Sequence, residues 1–182
     1  MFPRLPLDSI GITNPFSKSH PAIDLGWSSY RGEPVYASLS GTVVLSGFFS
    51  DAGNTLVIAT DTTDATIITR YLHLKDKPKY KIGDSVKQNE IIGNMGDTGN
   101  ARGVHLHFEY WRCPKNYSYK FKDIYKYALN PLDYCYVLDG MKVSSDDKKL
   151  VKYLENNAET SNKSEIDILK EKIQKIKQII EE

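Results

Sequence analysis

Four histidines occur in this chain of 182 residues, and two of them, His105 and His107, stand one residue apart in the apolar run GVHLHFEY. In a β-strand, residues i and i+2 share a face, so the two imidazoles project together while Leu106, Phe108 and Tyr110 project to the other side. The apolar set suits a core, and the imidazole pair suits a site. Two rings at this spacing can converge on a metal ion, or one can bind the ion while its neighbour handles a proton. Glu109 shares their face; it can replace His105 as a base, or accept from a ring N–H and orient that ring.

A second pair lies in SHPAIDLG, His20 and Asp24. Pro21 disfavours helical dihedrals at His20, and the flanking text reads as turn and strand. A straight strand would hold the two side chains about 13 Å apart, whereas zinc–ligand bonds are about 2 Å long. If both groups bind one metal, the chain must bend between them, and Pro21 beside Ala22 is the place for it. The fourth histidine, His73, ends a β run in RYLHLK; alternation puts it on one face with Tyr71, and Leu72 and Leu74 on the other. Two imidazoles and a carboxylate make the ligand set of a catalytic zinc, which keeps its fourth position open. Two more histidines are then left for proton transfer and for stabilising developing charge. The bland alternative for each is an ordinary surface histidine, in the case of His20 with a carboxylate nearby.

The elements that must position these groups are short β runs. From about residue 10 to residue 140 the text alternates PVYASL, GTVVLSGFF, NTLVIAT, ATIITRYLHL, EIIGNMG, VHLHFEYW and DYCYVL with clusters of Gly, Pro, Asn and Asp. That pattern predicts an all-β fold, a sandwich or barrel of antiparallel strands with no βαβ alternation. After Gly140 the composition turns to Lys, Asp and Glu, so residues 1–140 form one unit and 141–182 a helical extension. Within the extension, SSDDKKLVKYLENN reads as a short helix, AETSNKS as a linker, and 164–182 as a coiled-coil-like terminal helix. Its Ile166, Leu169, Ile173, Ile176 and Ile180 recur at steps of three and four, the a/d seam of paired helices. Such a stripe must pack on a neighbour, self-associate or attach the chain to a larger assembly.

Bulk properties exclude several classes. The formal net charge of +1, from 24 Lys and Arg against 23 Asp and Glu, gives no electrostatic case for nucleic acid. No apolar run reaches the length of a membrane span, and MFPRLPLDSIG lacks the basic start and apolar centre of a signal peptide. Cys113 and Cys135 can pair or stay as buried thiols, and neither belongs to a Cys-x-x-Cys motif.

HPAID, YLHL and HLHFE, in that order, resemble the lysostaphin-type, LytM-like zinc endopeptidases that cut the peptide part of bacterial peptidoglycan. GEPVYASLSGTVVLSG, GNTLVI, KIGDSVKQNEIIGNMGDTGNARG and NPLDY resemble that family's strands and loops, so the likeness covers about residues 10–138. It implies a two-sheet β-sandwich of the duplicated-hybrid-motif type, with one zinc ion per chain held by His20, Asp24 and His107. It implies His105 as general base and His73 as the group that helps hold or polarise at the carbonyl. Thr98, in GDTGN, falls in a loop that lines the cleft by resemblance; a plain Gly-rich hairpin is the other reading. The substrate implied is a stem or cross-bridge peptide of the cell wall, outside the membrane. A Tyr- and Lys-rich segment, RCPKNYSYKFKDIYKYALNP, departs from the pattern; its rings can stack on sugar or grip the stem, with packing the better reading.

The alternative function is a catalytically silent LytM-like protein that binds wall or activates another hydrolase, although no ligand of the family set is missing. Absence of a signal peptide together with a helical tail fits a phage lysin released at lysis or a tail-tip enzyme. If the isoleucine stripe self-associates, sedimentation of the full chain and of a chain ending at Gly140 will give different oligomeric states. Identical monomer masses would remove the oligomer.

Overall fold

The computed structural model describes residues 3–26 and 32–135, with Lys142, Val143 and Gln174 beyond them. The two predicted helices of the extension therefore lie outside the described residues, apart from a single helical position at Gln174. In chain order the strands are β1 (Ser9–Ile10), β2 (Ile12–Asn14), β3 (Ile23–Leu25), β4 (Pro34–Tyr36), β5 (Gly41–Phe49), β6 (Gly53–Asp61), β7 (Ala65–Leu74), β8 (Ser85–Val86), β9 (Ile91–Asn94), β10 (Leu106–Pro114), β11 (Ala128–Leu129) and β12 (Lys142–Val143). A 3-10 turn at Phe121–Asp123 leads into α1 (Ile124–Tyr127), and α2 (Pro131–Tyr134) follows β11.

One large sheet runs β2-β3-β10-β7-β6-β5-β8, with β11 paired to β10. The fold is antiparallel and all-β as predicted, but its two layers are unequal: the second is the two-stranded β4-β9 with its flanking loops. A separate parallel pair joins β1 to β12. Between the layers lies the main core, which takes Leu56 and Ile58 from β6, Tyr71 from β7, Phe108 from β10, Ile23 and Leu25 from β3, and Val35 and Ile92 from the small sheet. Leu106, Phe108 and Tyr110 all enter this core, as alternation along β10 requires.

The other face of the large sheet is divided. One end carries His107 and its neighbours, and the other carries a smaller apolar cluster of Val57, Ile68, Trp111 and Cys113. Tyr117, Tyr119, Ile124 and Tyr127 pack onto that cluster, so the Tyr- and Lys-rich segment does cover a core. Phe121 and Tyr125 from the same segment remain 63% and 73% exposed. Cys113 lies in the small cluster and Cys135 in the main core, neither of them in a disulfide.

One predicted strand is corrected. In DYCYVL, Asp133 and Tyr134 belong to α2, and residues 136–138 lie outside the described residues. Asn130 caps this short helix by accepting from the Leu132 N–H at 3.2 Å, and Pro131 occupies its first turn. That Asn-Pro start is a local signal strong enough to override the aromatic, strand-like text that follows it.

Two glycines lock the β5–β6 turn onto the loop before β10. Gly53 has φ +64 and Gly99 has φ +76, and a Cβ on Gly53 would collide with the Thr98 carbonyl. Across this close approach the Asn100 N–H donates to Asp51 O at 2.9 Å. Asn54 N–H donates to Thr98 Oγ1 at 3.0 Å, and that hydroxyl donates to Leu74 O at 2.7 Å. Gly53→Ala combines backbone strain with a steric clash, so we expect a loss of about 1–3 kcal/mol, read from the urea midpoint. An unchanged midpoint would show that the two loops separate without cost.

Candidate metal and proton-transfer site

Cross-strand register builds the centre. Asp24 on β3 lies directly opposite His107 on β10, and opposite residues of an antiparallel pair share a face at close range. The Asp24 carboxylate oxygen Oδ1 accordingly reaches His107 Nδ1 at 2.9 Å. His20 arrives from a turn before β3. The Ser17 N–H donates to His20 O, and the Ala22 N–H donates to the same carbonyl, each at 2.8 Å. This is the bend predicted at Pro21 and Ala22, and it brings His20 Nε2 to 3.2 Å from Asp24 Oδ1. His20 Nε2 and His107 Nδ1 are 3.3 Å apart.

His105 sits just before β10, bridged to Gly96, with Nε2 3.8 Å from Asp24 Oδ1. His73 reaches the cluster by a route that alternation does not predict. Tyr71 pairs with Phe108 and Leu72 with His107, so unbroken alternation would send the His73 ring into the core. Instead β7 carries a bulge: Leu72 and His73 together oppose Thr55, and His73 adopts φ 62. Its N–H then donates to Ala52 O at 3.0 Å. The ring turns to the site face, with its centroid 4.8 Å from that of His105 and 6.0 Å from that of His107. The predicted companion face is thereby corrected, because Tyr71 and Leu74 both enter the main core while His73 does not.

Each of the four rings has one nitrogen beside an oxygen acceptor. His20 Nδ1 lies 3.2 Å from Pro15 O, His73 Nδ1 2.8 Å from Thr98 O, and His105 Nδ1 2.9 Å from Gly103 O. His107 Nε2 lies 3.0 Å from Glu109 Oε1. Carbonyl and carboxylate oxygens only accept, so these nitrogens carry the hydrogens. At His73 and His105 the opposite nitrogen, Nε2, is the lone-pair position of the neutral ring, whereas His20 Nε2 and His107 Nδ1 face the Asp24 carboxylate and can bind a metal only once they carry no hydrogen. Thr98 is thus the support of His73, and Glu109 stands behind His107, away from Asp24.

Glu109 itself is buried and accepts from three donors. Arg70 Nη1 reaches Oε1 at 2.5 Å, and Trp111 Nε1 reaches Oε2 at 2.7 Å, in addition to the His107 contact. Neither Arg70 nor Trp111 was singled out from the sequence. The available signal was a lone arginine inside the otherwise apolar strand ATIITRYLHL, since a buried charge needs a partner.

Electrostatics follow from the crowding. Burial opposes charge on His107, but its hydrogen bonds and charge attraction with Asp24 and Glu109 outweigh it and push the pKa up to about 9. Burial alone would raise Asp24, yet His107, His105 and His20 hold its carboxyl below the ordinary range. His73 is lowered, mainly by burial, with the neighbouring charges of His105 and His107 adding to the effect. A neutral His73 is therefore an acceptor at Nε2.

One ligand atom each from His20, Asp24 and His107 can be chosen so that all lie within 4.8 Å of one another. Two ring nitrogens, once free of hydrogen, and one carboxylate oxygen on a half-buried face form a donor set that fits a zinc-type ion and leaves one position open. Fold and site together present a candidate metal centre with two further imidazoles beside it.

Residues 18–120, more than half of the chain, match Peptidase family M23. The chain belongs to that family. It is 33% identical over 120 residues to the peptidoglycan DD-endopeptidase ShyC of Vibrio cholerae, a match covering 60% of this chain and 26% of that protein. The fold is similar to the crystal structure of a zinc-containing peptidase from Vibrio cholerae, with a TM-score of 0.54 and 34% identity over 62% of this chain and 38% of that one. It is also similar to the catalytic domain of the antimicrobial peptidase lysostaphin from Staphylococcus simulans, with a TM-score of 0.50 and 29% identity over 72% of this chain and 85% of that one. The chain spans about a quarter of the length of the curated relatives it matches first. Among the described residues, no helix is long and apolar enough to cross a membrane.

A histidine pKa raised in the folded state contributes stability that is complete below its unfolded value of 6.5 and is lost as pH rises through about 9. Asp24, being lowered, contributes above its ordinary value of 3.8 and loses that contribution as pH falls. A metal ligand must instead be deprotonated, so zinc bound at this candidate site would displace the His107 proton. Between about pH 6 and about pH 8.5, the stabilisation added by zinc, read as the difference in melting temperature with and without it, should therefore grow with pH. A difference that is constant over this range would contradict the protonated metal-free site.

Proposed function

We propose that the chain is a zinc-dependent endopeptidase that hydrolyses peptide bonds in bacterial cell-wall peptidoglycan, at a stem or cross-bridge peptide. His20, Asp24 and His107 hold one zinc ion per chain in this reading, and His105 and His73 move protons. The observation that carries it is the meeting of two imidazoles and a carboxylate within 4.8 Å, beside two further imidazoles whose Nε2 atoms carry lone pairs. The names of the relatives, which include peptidoglycan DD-endopeptidases, support the substrate class.

Zinc at such a site lowers the pKa of a water molecule to about 7 and polarises a carbonyl oxygen. His105, with Nδ1–H held by Gly103 O, takes a proton at Nε2 as a peptide carbon is attacked. His73, neutral and held by Thr98 O, presents a second acceptor at Nε2. Once either ring is protonated it becomes a donor, able to stabilise the developing oxyanion or to pass its proton to the leaving amine.

The finer part of the proposal concerns delivery. Residues 164–182 attach the domain to a larger assembly or to another copy, as in a phage tail-tip enzyme or lysin, and the isoleucine stripe at heptad spacing supports this.

His107→Ala is expected to lose zinc and activity together. His105→Ala should keep zinc and lose about 100- to 10,000-fold in turnover. Both are read on purified sacculi with metal content measured in parallel. Retained turnover in the His105 variant would move the base role to His73. Fragment masses from sacculi of different cross-bridge chemistry identify the bond. A metal-replete protein inert towards every type of wall would favour the catalytically silent alternative.

A further inference from the structure

We infer that Arg70 is a positioning residue for the metal ligand His107, acting through Glu109. The inference rests on the metal assignment proposed above and extends it to a residue 37 positions upstream of His107.

Register places the three groups. Glu109 is directly opposite Arg70 across the β10–β7 pair, next to the His107–Leu72 pair. The Glu109 oxygen that faces His107 Nε2 at 3.0 Å is the same oxygen that receives Arg70 Nη1 at 2.5 Å. Trp111 Nε1 occupies the second oxygen at 2.7 Å. With three donors on it, this carboxylate has one orientation, and in that orientation the His107 ring must present Nε2–H to it and Nδ1 to Asp24.

Arg70 is committed to this contact. Its side chain is 4% exposed, and its Nε is buried with no hydrogen-bond partner among the described residues. The guanidinium lies between two rings, with its central carbon 5.6 Å from the Trp111 centroid and 4.9 Å from that of Phe121. Phe121 comes from the Tyr- and Lys-rich segment, so that segment helps to enclose the guanidinium behind the metal ligand. Tyr119 also hydrogen-bonds the Arg70 side chain, and the charged partner is the carboxylate behind His107. Removing the arginine leaves a buried carboxylate with one donor fewer to fix its orientation, and the tautomer of His107 loses its determinant.

The test measures zinc affinity of the full chain by chelator competition and, in the same samples, the imidazole N–H signals by long-range proton–nitrogen NMR. Wild-type protein is expected to bind zinc with His107 in the single Nε2–H tautomer. Arg70→Met should weaken zinc binding roughly 10- to 100-fold and give a mixture of tautomers, and Arg70→Lys should recover part of both. A lowered melting temperature in Arg70→Met, with affinity of the folded protein and tautomer unchanged, would mean a merely structural arginine and overturn the inference. Should Arg70→Met not fold, the double variant with Glu109→Gln leaves no unpaired buried charge and is compared with Glu109→Gln alone. Equal zinc affinity in those two proteins supports action through Glu109, whereas a further tenfold loss overturns it. Wild-type protein that binds no zinc, or His107→Ala that binds as well as wild type, would sink the metal assignment and this inference with it, whereas unchanged affinity in folded Arg70→Met sinks the inference alone.

Discussion

The arrangement depends on one constraint: an imidazole can bind a metal or accept a proton only through a nitrogen that carries no hydrogen. Four rings crowd around a single carboxylate here, and each could in principle turn either nitrogen inward. Oxygen acceptors behind the rings remove that freedom. Pro15, Thr98 and Gly103 supply backbone carbonyls, and Glu109 supplies a carboxylate. Supporting atoms at this distance from the reacting centre orient ligands as much as the ligands themselves bind.

Backbone carbonyls stay put only if their loops do, and the loops around the site are tied by hydrogen bonds and close backbone contacts. Thr98 is held by Asn54 and Leu74 and by the close approach of Gly53. Gly103 precedes the site strand with φ 136, where an L side chain would be strained. The large sheet provides the frame, because β3, β10 and β7 lie side by side and their register aligns Asp24, His107 and Leu72 in one row. On the opposite face of the same strands, Phe108, Tyr71 and Ile23 enter the core. Core packing and site assembly are therefore two readings of one alternation.

Much of this was legible in the sequence, and the failures are specific. Alternation in GVHLHFEY correctly divided imidazoles from apolar residues, and steric reasoning at Pro21 located the bend that lets His20 approach Asp24. Reading His73 by alternation failed because a β-bulge inserts one unpaired residue and inverts the phase after it. Nothing local announces that bulge, since the left-handed residue is not a glycine. The DYCYVL strand failed for the opposite reason: a visible Asn-Pro helix start was outweighed by β-type text. Arg70 escaped notice because its partner lies 39 residues away and meets it only through register, a property of the assembled sheet.

The left-handed conformation of His73 carries a consequence for how this domain would respond to selection. A side-chain-bearing residue in that region typically costs about 1–3 kcal/mol, and glycine would relieve most of it. A library screened for heat tolerance alone would thus enrich glycine or asparagine at position 73, and its winners would be sturdier proteins lacking the imidazole beside His105. Robustness and competence pull this one backbone position in opposite directions.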